Sequence, residues 1–156
     1  MSVLVPGSYD PVTLGHLDII RRAAEKYGEV YAVIFVNPEK HYTFSAKERV
    51  DMLKLATEQL DGVTVGYSDG YVVDYMKEHG IEKIVKGYRN LRDLEYEKIQ
   101  AEYNFSRGGY ETELLECSDG FAEISSTEAR RRIAEGEELS DILPSVVVEF
   151  IRNIKK

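Results

Sequence analysis

The sequence predicts an α/β fold, a doubly wound five-stranded parallel sheet with helices on both faces, and three observations predict it. Short β-branched runs alternate with longer stretches of helical periodicity, the order that lays crossover helices on a parallel sheet. Each of the five candidate strands is followed by a segment able to form a helix. No Pro-, Gly- or Ser-rich linker and no internal repeat divides the 156 residues, so one domain, 1–156, is expected.

Residues 3–6 read as the first strand. In the helix predicted at 15–27, Leu17, Ile20, Ala24 and Tyr27 recur at three- and four-residue intervals and make one apolar stripe. Asp18, Arg21, Arg22 and Glu25 fall on the other face, which reads as solvated. A strand at 30–36 leads to a helix at 46–60, which Ser45 and Glu48 open with capping-box spacing. Strands at 63–67, 84–86 and 113–117 follow, each with its helix, at 72–79, 91–106 and 127–135. Gly136 stops the 127–135 helix, and Ser140-Asp141 with Pro144 starts the last one, 144–154. In an open parallel sheet ligands collect beyond the carboxyl ends of the strands, so the segments just after each strand are where chemistry is expected.

Composition narrows the function classes. The formal net charge is −8 and the longest basic run is Arg130-Arg131-Arg132, which argues against nucleic acid as a partner. No stretch approaches the ~20 apolar residues of a membrane span, and no export signal is apparent at the start. A soluble, cytoplasmic protein without a membrane partner is the expectation. Cys117 is the single cysteine, and the three histidines have no zinc-ligand spacing around it, so no protein-held metal is expected.

Four segments after strand ends carry the candidate chemistry. Residues 6–16 form a turn with two glycines leading into a helix. Gly7 lets a ligand approach the backbone, Gly15 does so at the helix start, and the N–H groups there attract anions, with His16 one residue inside. The pattern is neither the P-loop nor the dinucleotide fingerprint. A plain strand-to-helix turn with a surface histidine is the other reading of the same residues. Lys40 follows the second strand. After the fourth, Gly87 allows close backbone approach, Arg89 offers a planar fork of donors and Lys86 a compact charge. Glu97 belongs either to this site or, with Glu95 and Lys98, to an exposed helical face. Ser125 and Glu128 have capping-box spacing, and Arg130 points differently from Arg131 and Arg132.

These strings carry a resemblance. Thr13-Leu14-Gly15-His16 resembles the (H/T)-x-G-H signature of the cytidylyltransferase-like nucleotidyltransferase superfamily. Asn37-Pro38-Glu39-Lys40 with Phe44-Ser45, and Lys86-Gly87-Tyr88-Arg89 with Asp93 and Glu95-Tyr96-Glu97, resemble its pantetheine-phosphate adenylyltransferase branch. Ile124-Ser125-Ser126-Thr127-Glu128-Ala129-Arg130 is similar to the superfamily's I-S-[ST]-[ST]-x-x-R motif. The resemblance covers nearly the whole chain and implies a Rossmann-like form of the predicted sheet.

It also implies an activity, the transfer of the adenylyl group of ATP to 4′-phosphopantetheine. The acceptor phosphate attacks the α-phosphate in line, pyrophosphate leaves, and dephospho-coenzyme A forms without a covalent enzyme intermediate. By that likeness His16 stabilises the pentacoordinate phosphorus while Lys40 and Arg89 complete the catalytic set. The nucleotide is met by Gly7, Ser8, Tyr9, Gly15 and His16, by Gly87, Tyr88, Arg89 and Glu97, and from the far side by Phe121, Ile124, Ser125, Ser126, Thr127 and Arg130. The acceptor meets Ser8, Lys40, Val72, Lys86 and Asn104. Mg2+ is implied as a cofactor held mainly through nucleotide phosphates, and a homohexamer as the assembly. The chain departs from the pattern at Lys86, where most relatives have arginine, at Tyr71, where they have an aliphatic residue, and at Glu123, where they have an aromatic one. Two alternatives stay open: another adenylyl- or cytidylyltransferase, of the nicotinate or nicotinamide mononucleotide type, and a non-catalytic nucleotide or coenzyme A binding module.

Overall fold

The computed structural model describes residues 1–154. Five parallel strands form its sheet: β1 (Ser2–Gly7), β2 (Glu29–Phe35), β3 (Val63–Ser68), β4 (Lys83–Tyr88) and β5 (Thr112–Glu116). Their order is β3-β2-β1-β4-β5. The chain therefore winds outward from β1 to β3, then returns to lay β4 against the free edge of β1. This is the doubly wound arrangement expected from the sequence, with its switch point between β1 and β4.

Alternation along the strands divides the core in two. Val3 and Val5 of β1, Val30, Ala32 and Ile34 of β2, and Val85 of β4 face one cluster, while Leu4, Val33 and Ile84 face the other. On the first face lie α1 (Leu14–Tyr27) through Ile19, Ile20 and Ala23, and α2 (Ala46–Thr57) through Met52 and Leu53. Helices α5 (Ser126–Glu135) and α6 (Ser145–Ile154) add Ala129, Val147, Val148 and Ile151 there. On the second face α3 (Val72–His79) buries Met76, and α4 (Leu91–Gly108) lies over β4, β5 and α3. Unlike the other helices, α4 buries no residue. Leu91, Tyr96, Ile99, Tyr103 and Phe105 on it are all exposed.

One expectation for α1 is overturned. Asp18 was assigned to the solvated face, yet its side chain is only 3% exposed. Its carboxylate accepts hydrogen bonds from Arg21 (2.8 Å), Arg22 (3.3 Å) and the Ser118 hydroxyl (2.8 Å). Burial alone would raise this carboxyl, but those three bonds outweigh it and hold the group below its ordinary value. The magnitudes agree with that outcome. Each bond to a charged group contributes about 1.5–3 kcal/mol, so three offset the several kcal/mol that desolvating a carboxylate costs. The buried stripe of α1 is accordingly Asp18, Ile19, Ile20 and Ala23, one step round the helix from the predicted one.

At the amino end of the sheet two turns touch. Gly62, just before β3, has φ +79°, and its carbonyl accepts the Val30 N–H at 2.8 Å. A Cβ there would run into the Gly28 carbonyl oxygen. Because both the left-handed backbone and the overlap penalise a side chain, Gly62→Ala is expected to lower the unfolding free energy by about 2–4 kcal/mol. Urea denaturation measures this, and a loss below about 0.5 kcal/mol would contradict it.

Candidate active site

The carboxyl ends of β1 and β4 open into a cavity of about 340 Å3 at the switch point. Each wall comes from a segment that leaves a strand. The β1–α1 loop supplies Gly7, Ser8 and Tyr9, and the first turn of α1 supplies Gly15 and His16. The loop after β2 brings Lys40. The end of β4 brings Lys86, Gly87, Tyr88 and Arg89, and α4 turns Glu97 inward. The loop after β5 closes the far side with Phe121, Ile124 and Ser125, followed by Ser126, Thr127 and Arg130 of α5. Strand order separates the two ends: Lys40 comes from the β2 side, and Phe121 and Ile124 from the β5 side, with His16 at the switch point between them.

His16 is built into the helix start. Thr13 is the N-cap of α1, its hydroxyl accepting the His16 N–H at 3.2 Å, while the Thr13 N–H donates to His16 Nδ1 at 3.0 Å. This is a capping box with histidine in the glutamate position. An N–H donated to Nδ1 requires that nitrogen to be the acceptor, so in the neutral ring the proton sits on Nε2. Tyr9 packs against the ring with centroids 4.9 Å apart. Tyr9 is itself buried, in the left-handed region at φ 49°, and its hydroxyl donates to the Val5 carbonyl at 2.7 Å. Burial first, and then the charges of Lys86 and Arg89, push the His16 imidazole down to about 4 from 6.5. With that value the ring is neutral near pH 7 and presents an Nε2–H donor rather than a positive charge.

The helix start offers anions less than the sequence suggested. The Leu14 N–H donates to the Ile142 carbonyl at 2.9 Å, and the His16 N–H is already taken by Thr13. Side chains supply the positive charge instead. Lys86 Nζ is 3.6 Å from Glu97 Oε2. Burial raises the Glu97 carboxyl and the lysine only partly reverses that. Glu97 is thus turned into the site, whereas its neighbours Glu95 and Lys98 are exposed. Arg89 binds Asp93 through its backbone N–H (3.2 Å) and Nε (2.9 Å). Arg130 donates to the Asp10 carbonyl (2.8 Å) and the Thr127 hydroxyl (3.2 Å).

The hydroxyls around α5 are partly spoken for. Ser125 caps the helix by accepting the Glu128 N–H at 3.0 Å, and Ser126 donates to the Pro11 carbonyl at 2.8 Å. Glycine at 87 also has a packing reason, because a Cβ would come within 2.7 Å of the Ile19 side chain on α1. Two predicted residues stand outside the cavity. Val72 packs into the second core cluster, and Asn104 lies near the end of α4. Conversely, Asp10, Thr13, Asp93 and Cys117 line the cavity without having been assigned a role there. Thr13 and His16 share the spacing of a capping box, which was the available signal for Thr13. Burial pushes the Cys117 thiol up, away from a reactive thiolate.

Comparison with known proteins places the chain in a family. The cytidylyltransferase-like family matches residues 4–132, and the chain belongs to that family. The relatives found carry one more specific name. The chain is 38% identical to the phosphopantetheine adenylyltransferase of Thermobifida fusca (strain YX) over 96% of its length and 92% of the relative's. It is 39% identical to the enzymes of that name from Corynebacterium glutamicum (strain R) and Corynebacterium efficiens, over 97% of its length and 95% and 96% of theirs.

The lowered histidine has a testable signature. Since its folded value lies below its unfolded one, the stability it contributes is present above 6.5 and is lost as pH falls through about 4. In the free protein, nitrogen chemical shifts of the His16 ring are expected to report the Nε2–H tautomer from about pH 8 to about pH 5. A titration midpoint near the ordinary 6.5 would contradict the burial argument.

Proposed function

We propose that this chain transfers the adenylyl group of ATP to 4′-phosphopantetheine, forming dephospho-coenzyme A and pyrophosphate. The observation that carries the reading is the convergence of His16 with Lys40, Lys86, Arg89 and Arg130 on one cavity between β1 and β4. Two phosphorylated reactants brought end to end repel one another, and four cationic side chains around a single hydrogen-bond donor offset that repulsion. The names of its relatives supply the identities of donor and acceptor.

In this reading an oxygen of the acceptor phosphate attacks the α-phosphorus of ATP. The bond from that phosphorus to the oxygen bridging to the β-phosphate breaks, and pyrophosphate carries the electron pair away. His16 Nε2–H donates to a non-bridging oxygen of the α-phosphate as negative charge grows there. The neutral ring suits this role, because it keeps its proton throughout. Lys40 and Lys86 hold the acceptor phosphate, and Arg89 and Arg130 the nucleotide phosphates.

Mg2+ is part of the proposal. The carboxylates around the cavity are engaged, Asp10 by two main-chain N–H groups, Asp93 by Arg89 and Glu97 by Lys86. This supports a metal held mainly by the reactants' phosphates, where it would neutralise charge on the leaving pyrophosphate. A homohexamer is likewise proposed, supported by the unburied apolar residues of α4. Cytoplasmic placement completes the reading. No described helix is long and apolar enough to cross a membrane.

An acceptor panel tests the function. Pyrophosphate release from ATP is expected with 4′-phosphopantetheine and not with nicotinate or nicotinamide mononucleotide, and turnover with a mononucleotide alone would overturn the assignment. Coenzyme A bound tightly with no turnover would instead mark a binding module. His16→Ala is expected to lower kcat by about a hundredfold or more while ATP affinity changes by less than about threefold. Calorimetry beside the pyrophosphate assay separates the two, and equal losses would refute a transition-state role.

A further inference from the structure

Asp10, in the loop after β1, is 4% exposed, and the chemistry above gives its carboxylate no task. Both of its oxygens accept main-chain N–H groups from consecutive residues of the loop between β2 and α2. Oδ2 accepts from Thr43 and Oδ1 from Phe44, each at 2.9 Å. Charge-assisted bonds of this kind are strong in a buried setting. They tie down the carboxyl end of the segment that carries Lys40.

Arg49 of α2 secures the same junction from below. It is 2% exposed, its Nη1 donates to the Ser8 carbonyl (3.0 Å) and its Nε to the Phe44 carbonyl (3.2 Å). Its guanidinium also lies 4.0 Å from the centre of the Tyr42 ring, and Lys40 Nζ lies 5.7 Å from that centre. The Tyr42 hydroxyl accepts the Asn37 N–H at 2.9 Å, which fixes the start of the segment. Asp10 meets the opposite wall as well. Arg130 Nη1 is 2.8 Å from its carbonyl and 4.0 Å from Oδ2. One residue therefore touches the segment bearing Lys40 and the arginine at the other end of the cavity.

We propose that Asp10 is a positioning residue that sets Lys40 for the acceptor phosphate and couples that side of the cavity to Arg130 on the nucleotide side. This rests on the function proposed above, since it assigns Lys40 and Arg130 to phosphates of different reactants. A nucleotide phosphate that draws the Arg130 guanidinium away leaves more of the Asp10 charge to the Thr43 and Phe44 N–H groups. The Lys40 segment tightens before the acceptor arrives. By linkage, the acceptor strengthens nucleotide binding by the same factor.

Asp10→Asn keeps the shape but sets an amide where a carboxylate took two donors. With the other reactant absent, so that linkage carries nothing across the cavity, the variant is expected to weaken phosphopantetheine binding about tenfold while ATP binding changes by less than about threefold, both read by calorimetry. Equal losses in these separate measurements, or a lowered melting temperature with both affinities unchanged, would reduce Asp10 to a structural staple and overturn the proposal. A second measurement needs no variant. In the unmutated protein, hydrogen exchange at the Thr43 and Phe44 amides is expected to slow when a non-hydrolysable ATP analogue binds without acceptor. Unchanged exchange, with calorimetry showing the analogue bound, overturns the coupling even if Asp10→Asn fails to fold. Failure of the underlying function looks different, as no pyrophosphate is then released from ATP and phosphopantetheine by the unmutated protein.

Discussion

Parallel pairing of β1 with both β2 and β4 is the constraint on which the cavity depends. Because the strands run the same way, all their carboxyl ends meet at one rim. Because the winding reverses beside β1, the loops from β1 and β4 leave toward opposite faces and a crevice opens between them. The β1–α1 loop sits at that fork. Its main-chain carbonyls are held by Arg49 at Ser8, Arg130 at Asp10 and Ser126 at Pro11, so two other elements, α2 and α5, are gauged from it. Chemistry at the rim inherits its geometry from hydrogen bonds a few residues away.

Charge is arranged by the same economy. Arg89 is paired with Asp93 and Lys86 with Glu97, so these cationic side chains of the cavity keep definite places before any ligand is present. The pairs are partly exposed, and their contribution to folding is correspondingly small. Such pairs preorganise the cavity, since a side chain already held in position loses less freedom on meeting a ligand. The raised carboxyl of Glu97 shows that the pair lies where desolvation exceeds the help of one lysine.

Much of this was legible in the sequence, for a physical reason. Ligand contacts in a parallel sheet gather at strand ends, and strand ends can be read from β-branched runs; resemblance of the strings beyond them to family motifs then singled out His16, Lys40, Arg89 and Arg130, and all four line the cavity. What escaped depends on partners distant along the chain. Asp18 looked solvated because its hydroxyl partner, Ser118, lies 100 residues away. Asp10 looked like an ordinary turn residue because the N–H groups it holds are 33 and 34 residues on. Gly87 invited a ligand explanation, while the side chain that excludes a Cβ there belongs to α1. Val72 and Asn104 were assigned by likeness alone, and the cavity does not include them.

The histidine at the third position of α1 closes the helix with one nitrogen and faces the cavity with the other. The ring is therefore two-sided, an acceptor toward Thr13 and, when neutral, a donor on its other nitrogen beside the cavity. Carboxylates have no proton to give, lysine has no lone pair to offer, and a hydroxyl would have to serve both ends from one atom, which leaves imidazole and the carboxamides as the side chains that present an acceptor and a donor on separate atoms. Helix initiation and a hydrogen-bond donor at the cavity wall are in this way written into a single ring, so an exchange that removes the ring reaches both.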